Sequence, residues 1–313
     1  MKILANDGID EAGKKILEQA GHTVDTTKIP QAELAEKLPS YDGLVVRSAT
    51  KVRADLLDAC PQLRFVARAG VGMDNIDVDY ARSRGVLVLN TPSASSIAVA
   101  ELVFAHMLSL CRFLHRAHRE MPLNGGKDFN QLKASYASGT ELFGKTLGLV
   151  GFGRIGQEVA RIAHGFRMKI LVHDVLFQNE PQLGQKAAAE HQVHTVELDN
   201  LLQQSNYLSL HVPGLAHPLI GERELNLMPQ GACLINASRG GLVDEFALLQ
   251  AINRGHIRYA GLDVFENEPE VSPEILTHPQ ISTTPHTGAS TLEAQERIGL
   301  EMAHRILEHF PMG

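Results

Sequence analysis

Twice along this chain, short runs of β-branched and aliphatic residues alternate with segments of helical spacing, and this restricts the fold more than any other feature. In the first hundred residues, KILAN (2–6), GLVVR (43–47), RFVARA (64–69) and VLVLN (86–90) have the length and composition of strands. Between them, DEAGKKILEQAG (10–21) and RADLLDAC (53–60) carry helical spacing, with Gly21 placed to stop the first. The alternation restarts near residue 145 with TLGLVG (146–151), KILVHD (169–174), YLSLHV (207–212), ACLINAS (232–238), YAGLDVF (259–265) and ISTTP (281–285). Helical segments intervene at 154–164, 197–204 and 244–254, the last with Asp244 near its start and Gly255 just past its end. An apolar helix over about 95–119 and a polar loop over 124–139 separate the blocks, and a helix over 290–309 closes the chain. Strand and helix in alternation give parallel sheets covered by helices. With 313 residues, the expectation is α/β, two doubly wound parallel-sheet domains.

Composition narrows the function classes. Apolar residues make up 44% of the chain, enough for substantial cores, and a net charge of −7 argues against a nucleic-acid partner. Cys60, Cys111 and Cys233 are far apart and odd in number. They form neither a zinc spacing nor a disulfide framework, which points to a reducing, cytoplasmic location. The opening MKILANDGID reads as strand and turn rather than a secretory leader. The most apolar stretch, 97–114, contains Glu101, His106 and Arg112, so a buried or interface helix is expected there and no membrane partner.

GFGRIG (151–156) matches G-x-G-x-x-G, a weak pattern alone. Here it follows a strand run and opens a helical one, and each glycine acquires a task. Gly151 permits the tight turn, Gly153 lets a pyrophosphate approach the backbone, and Gly156 lets the helix pack on the sheet. The amides at the helix start, from Arg154 and Ile155 onward, then face the phosphates. The next strand run ends in Asp174, 18 residues after Gly156, where a carboxylate accepts from ribose hydroxyls. It would repel a 2′-phosphate, and VLFQN (175–179) offers no cation in compensation, so NAD is expected rather than NADP.

In open α/β sheets ligands bind beyond the carboxyl ends of the strands. ACLINAS leads into Arg239, YAGLDVF into Glu268, and ISTTP into His286. Taken singly, each is commonly a surface residue; together, downstream of a dinucleotide motif, they suit hydride exchange at an alcohol beside a carboxylate. His286 would move the hydroxyl proton, as imidazoles do near neutral pH. Glu268 would orient the ring and stabilise its positive charge, and the planar fork of Arg239 would hold the substrate carboxylate. His211 also ends a strand run, and with Val212 and Pro213 it is expected to line the cofactor crevice. His115 and His118 lack further ligands, so no metal site is expected.

These stretches, together with VVRSATKV (45–52), RAGVGMDNID (68–77), LNTPSASS (89–96), NASRGGLVDE (236–245), GLDVFENEP (261–269) and PHTGAST (285–291), resemble the D-2-hydroxyacid dehydrogenases, most nearly their 3-phosphoglycerate branch. The resemblance implies a discontinuous, flavodoxin-like substrate domain of 1–95 plus 286–313, a Rossmann NAD domain of 96–285, and a cleft between them. It implies the triad Arg239, Glu268 and His286. It also implies Asp263 near the nicotinamide amide, Ala237, Ser238 and Gly288 along the cofactor crevice, and a homodimer formed through the NAD domains.

In the first block, the loop Gly70, Val71, Gly72 to Asn75 offers backbone amides to a carboxylate. Arg47, with Ser48, is the family-matched candidate for a substrate phosphate. Lys51 and Arg53 are as readily solvated strand-end residues, and Lys133 is a further candidate cation. Gly214 and His217–Pro218 depart from the family pattern, as does Val71 where a threonine is common. No C-terminal regulatory domain is expected after Gly313. The expected activity is NAD-dependent oxidation of 3-phosphoglycerate to 3-phosphohydroxypyruvate. A glyoxylate or hydroxypyruvate reductase is the nearest rival, and a nonenzymatic NAD(H)-responsive regulator the more distant one.

Overall fold

A computed structural model describes residues 1–311. The chain divides into two compact units, one formed by Met1–Ala98 with the stretch from Ala289 onward, the other by Val99–Gly288. In the first unit, β1 (Lys2–Ala5), β2 (Thr23–Asp25), β3 (Gly43–Val46), β4 (Phe65–Arg68) and β5 (Leu87–Asn90) form a parallel sheet in the order β2-β1-β3-β4-β5. Every residue of β3 is buried, as expected of a parallel strand covered on both faces. The long C-terminal helix Leu292–His309 buries Ile298, Met302 and Ile306 against this unit's core.

The second unit contains β6 (Thr146–Val150), β7 (Lys169–His173), β8 (His194–Thr195), β9 (Tyr207–Leu210), β10 (Ala232–Asn236), β11 (Ile257–Leu262) and β12 (Ile281–Thr283). They run parallel in the order β12-β11-β10-β9-β6-β7-β8. Strand order reverses between β6 and β9 here, and between β1 and β3 in the first unit. These reversals are where open α/β sheets splay their connections and bind ligands.

Three expectations need correction. The helix expected over 95–119 is two, Ser96–Cys111 and Leu114–Asn124, bent by 55°. Phe113 breaks it by adopting a left-handed backbone (φ 58°), and its ring is buried 5.6 Å from Tyr136 and 5.9 Å from Tyr259. Burying an aromatic ring outweighs a local backbone cost of about 1–2 kcal/mol. The polar loop at 124–139 contains a helix, Phe129–Ser135, whose Leu132 is buried. The edge strands β2 and β8 were not expected, being three and two residues long and too short to show a period. Among the described residues no single helix is long and apolar enough to cross a membrane.

Candidate active site

The turn after β6 lies at the strand-order reversal of the larger sheet. Gly151 has φ +91°, and a Cβ there would meet the His211 carbonyl oxygen at 2.5 Å. Its own amide donates to the His173 carbonyl at 2.8 Å, so the turn is pinned between β7 and β9. Gly156, in the helix Arg154–Gly165, would place a Cβ 2.5 Å from the Gly151 carbonyl oxygen. Gly153 differs: a Cβ there would meet no protein atom within 4 Å. Packing explains the first and third glycines; it does not require the second, which caps the helix and leaves its backbone open to approach. Asp174 follows β7 and accepts from the Phe152 amide at 2.8 Å and the Leu176 amide at 3.0 Å, which ties this carboxylate to the glycine turn. The group implied by the motif therefore fits the residues present.

Beyond β9, His211 is neutral, because burial pushes its imidazole down to about 4. The Ser209 hydroxyl lies 3.0 Å from its Nε2. Val212 offers its carbonyl to the Ser238 hydroxyl at 2.7 Å, joining the loops after β9 and β10; Pro213 is exposed. Ala237 is buried beneath that junction.

The loops after β10, β11 and β12 carry the other candidates. His286 Nδ1 lies 2.8 Å from Glu268 Oε2, and the other carboxylate oxygen of Glu268 accepts from the Phe265 amide at 3.0 Å. A carboxylate accepts, so Nδ1 carries the proton of that bond and Nε2 is left to face outward chemistry. The pair is half-exposed. Arg239 leaves the end of β10 in a turn braced by Asn236, whose amide donates to the Arg239 carbonyl at 2.8 Å. Gly240 presses this turn onto the Phe265 backbone, where a Cβ would lie 1.8 Å from the carbonyl oxygen. The Arg239 turn and the Glu268–His286 pair thus share Phe265 as a support. Asp263 is buried and accepts from the Thr287 and Gly288 amides at 2.7 and 2.9 Å.

In the smaller unit, Arg47 and Ser48 follow β3 and line a cavity of about 480 Å³ with Asn6, Asp7 and Lys28. This is the strand-order reversal between β1 and β3. Burial opposes ionisation of Asp7, yet bonds from Lys28, Thr50 and the Arg47 amide hold its carboxyl below the ordinary value. Asn75 is buried and donates to the Arg47 and Thr50 carbonyls at 2.8 and 2.7 Å, so it shapes the Arg47 loop from beneath. Gly70 has φ +144°, the Val71 carbonyl accepts from Asn90, and Gly72 is partly exposed. Lys28 escaped the sequence reading, because 19 residues separate it from Arg47 and only the sheet order brings them to one cavity.

Residues 104–288 match the family described as D-isomer specific 2-hydroxyacid dehydrogenase, NAD binding domain. The chain belongs to this family. The D-3-phosphoglycerate dehydrogenase of Methanocaldococcus jannaschii is 41% identical over 98% of this chain, which spans only 57% of that relative's length. The hydroxypyruvate reductase of Thermotoga maritima is 41% identical over 98% of this chain and 97% of its own. Among solved structures, a glyoxylate reductase from Paecilomyes thermophila superposes with a TM-score of 0.83 at 30% identity, covering 100% of this chain and 97% of that one. The larger sheet, with its glycine turn, is the part of this chain that matches the NAD-binding domain of the family.

Proposed function

We propose that the protein interconverts a small anionic D-2-hydroxyacid and its 2-oxoacid, with 3-phosphoglycerate as the hydroxyacid and NAD as the preferred cofactor. The observation that carries the reaction class is the His286–Glu268 pair, 2.8 Å apart at the carboxyl ends of the same sheet that bears the glycine turn. The chemistry that NAD would supply when held there is hydride transfer to or from the carbon bearing the hydroxyl. His286 Nε2 takes the hydroxyl proton during oxidation and returns it to the carbonyl oxygen during reduction. Glu268 holds the ring through Nδ1 and offsets the imidazolium charge. Arg239 grips the substrate carboxylate and polarises the carbonyl. The amides from Arg154 onward would hold the pyrophosphate, and Asp174 would hold the adenosine ribose and disfavour a 2′-phosphate.

The phosphate reading rests on Arg47 and Lys28 at one cavity of an otherwise acidic chain. No ion pair joins the Arg47 guanidinium to a carboxylate among the described residues, whereas Lys28 is paired with Asp7. The second reading, reduction of hydroxypyruvate or glyoxylate without a phosphate grip, is favoured by the relative matched along nearly its whole length. The purified protein with NADH and phosphohydroxypyruvate, hydroxypyruvate or glyoxylate separates these. A higher kcat/KM on the phosphorylated acid, lost in Arg47→Ala, is expected. Preference for an unphosphorylated acid gives the second reading, and NADH binding without turnover of any 2-oxoacid overturns both.

A homodimer and a cytoplasmic location belong to the same proposal. Leu114, Leu123 and Phe129 are exposed on the helices after residue 113, an apolar surface that a second copy would cover. All three cysteines are buried and unpaired, in keeping with a reducing compartment.

A further inference from the structure

We infer that His106 is a positioning residue for the His286 loop, acting through the Thr284 hydroxyl on the Asp263 carboxylate; its kinetic consequence rests on the dehydrogenase reading above. His106 lies on the helix Ser96–Cys111 and is 3% exposed. Its Nδ1 is 3.1 Å from Ser282 Oγ and its Nε2 is 3.0 Å from Thr284 Oγ1. Ser282 is in β12 and Thr284 just follows it, two residues on, so extended chain puts both hydroxyls on one side. Strand β11 makes room for the ring: a Cβ on Gly261 would lie 2.8 Å from His106 Cβ and 3.0 Å from Cγ. A larger side chain at 261 would push the imidazole off the two hydroxyls.

Proton counting then fixes the direction of the chain of bonds. Thr284 Oγ1 has one proton and donates it to Asp263 Oδ1 at 2.6 Å. Toward His106 the same hydroxyl must accept, so Nε2 of His106 carries a proton. Burial holds this imidazole below its ordinary value despite the nearby Asp263 carboxylate, and His115 adds to the depression. Burial favours the neutral ring, in which Nδ1 accepts from Ser282. Asp263 passes the constraint on through the Thr287 amide (2.7 Å), the Gly288 amide (2.9 Å) and a long bond from the Thr287 hydroxyl (3.4 Å). Between these bonds and Thr284 lie Pro285 and His286, the latter held at φ +53° with its amide on the Asp263 carbonyl at 2.8 Å. A left-handed histidine persists only when its surroundings over-determine it. His106 is the far end of the network that does so.

The test compares three variants. His106→Leu removes both bonds. His106→Asn keeps an amide near Nδ1 for Ser282 but does not reach Thr284, and His106→Gln carries an amide N–H to the Nε2 position. Hydrogen exchange of the Thr287 and Gly288 amides is read first, because it needs no substrate. Leu and Asn are expected to speed it by about 5-fold or more, and Gln to restore much of the protection. With NADH and the preferred 2-oxoacid, Leu and Asn are expected to lower kcat by about 10-fold, from misplacement of His286, and to leave KM for the oxoacid within about twofold. Gln is expected to recover most of the lost kcat. Unchanged exchange in Leu and Asn overturns the inference, and so does a loss that Gln does not recover, since that is packing alone. If His106→Leu does not fold, the Asn and Gln pair decides. Absence of turnover in the unsubstituted protein would count against the dehydrogenase reading, while the exchange arm still decides the role of His106.

Discussion

Gly153→Ala separates a glycine required by packing from one required by a ligand. Gly153 has φ −71° and ψ −164°, which alanine adopts without strain, and its Cβ would meet no protein atom within 4 Å. As the helix N-cap, alanine loses a few tenths of a kcal/mol to about 1 kcal/mol, and reduced freedom of the unfolded chain returns about 0.4–1 kcal/mol. Net stability should therefore stay within about 0.5 kcal/mol. On the proposed cofactor placement, the methyl would stand where the pyrophosphate meets the helix amides. Losing one charge-assisted bond there costs about 1.5–3 kcal/mol, a weakening of NADH affinity by about 10- to 150-fold. Gly151→Ala is the control. At φ +91°, with a Cβ 2.5 Å from the His211 carbonyl oxygen, it should lower the melting temperature outright. The chain has no tryptophan, so NADH binding is read by titration calorimetry or by the fluorescence of the nucleotide itself, and stability by thermal melts. Unaltered NADH affinity in Gly153→Ala would refute this placement of the pyrophosphate. A large drop in melting temperature would refute the claim that packing does not require the glycine.

Three further outcomes follow from the geometry. His286→Ala and Glu268→Gln should each lower kcat by about 10²-fold or more while NADH affinity, read by titration, stays near its original value; near-full turnover in either would remove that residue from the reaction. Asp174→Ala should narrow the preference for NADH over NADPH in kcat/KM, and an unchanged ratio would mean that the ribose is not held there. Burial pushes His211 to about 4, below its free value of about 6.5, so between these pH values the unfolded chain binds a proton that the folded chain refuses. Its contribution to stability is full above the upper value and is lost as pH falls toward the lower one, by at most about 3 kcal/mol. Urea midpoints at about pH 7 and about pH 4.5 should fall further in the unsubstituted protein than in His211→Gln, and equal falls would refute the assignment.

What could be read in advance follows from the range of the interactions. Ten strands and the glycine turn were legible because buried parallel strands write continuous apolar runs, and because a glycine turn between strand and helix is a local demand on the backbone. Phe113 was not legible as a helix break. Its left-handed backbone depends on a ring buried near Tyr136 and Tyr259, the latter contributed by β11, and neither contact leaves a mark at position 113. Lys28 and His106 were missed for the same reason. The one available hint for His106 was the glycine at 261 inside the strand run YAGLDVF, a sign that something approaches that strand closely.

Two carboxylates lie near His286, and their surroundings give them different work. Asp263 is 1% exposed and accepts from two backbone amides and the Thr284 hydroxyl. A carboxylate so surrounded has its negative charge distributed over fixed donors and organises the loop they belong to. Glu268 accepts one backbone amide on one oxygen and the His286 ring on the other, in a half-exposed setting. On the proposed mechanism, a positive charge on the ring can appear and disappear beside this half-exposed carboxylate without rearranging the backbone. If the roles were exchanged, removing the charge at 268 would loosen the 284–288 loop and removing it at 263 would leave the loop intact. Hydrogen exchange at Thr287 and Gly288 should show the reverse: faster in Asp263→Asn and unaltered in Glu268→Gln.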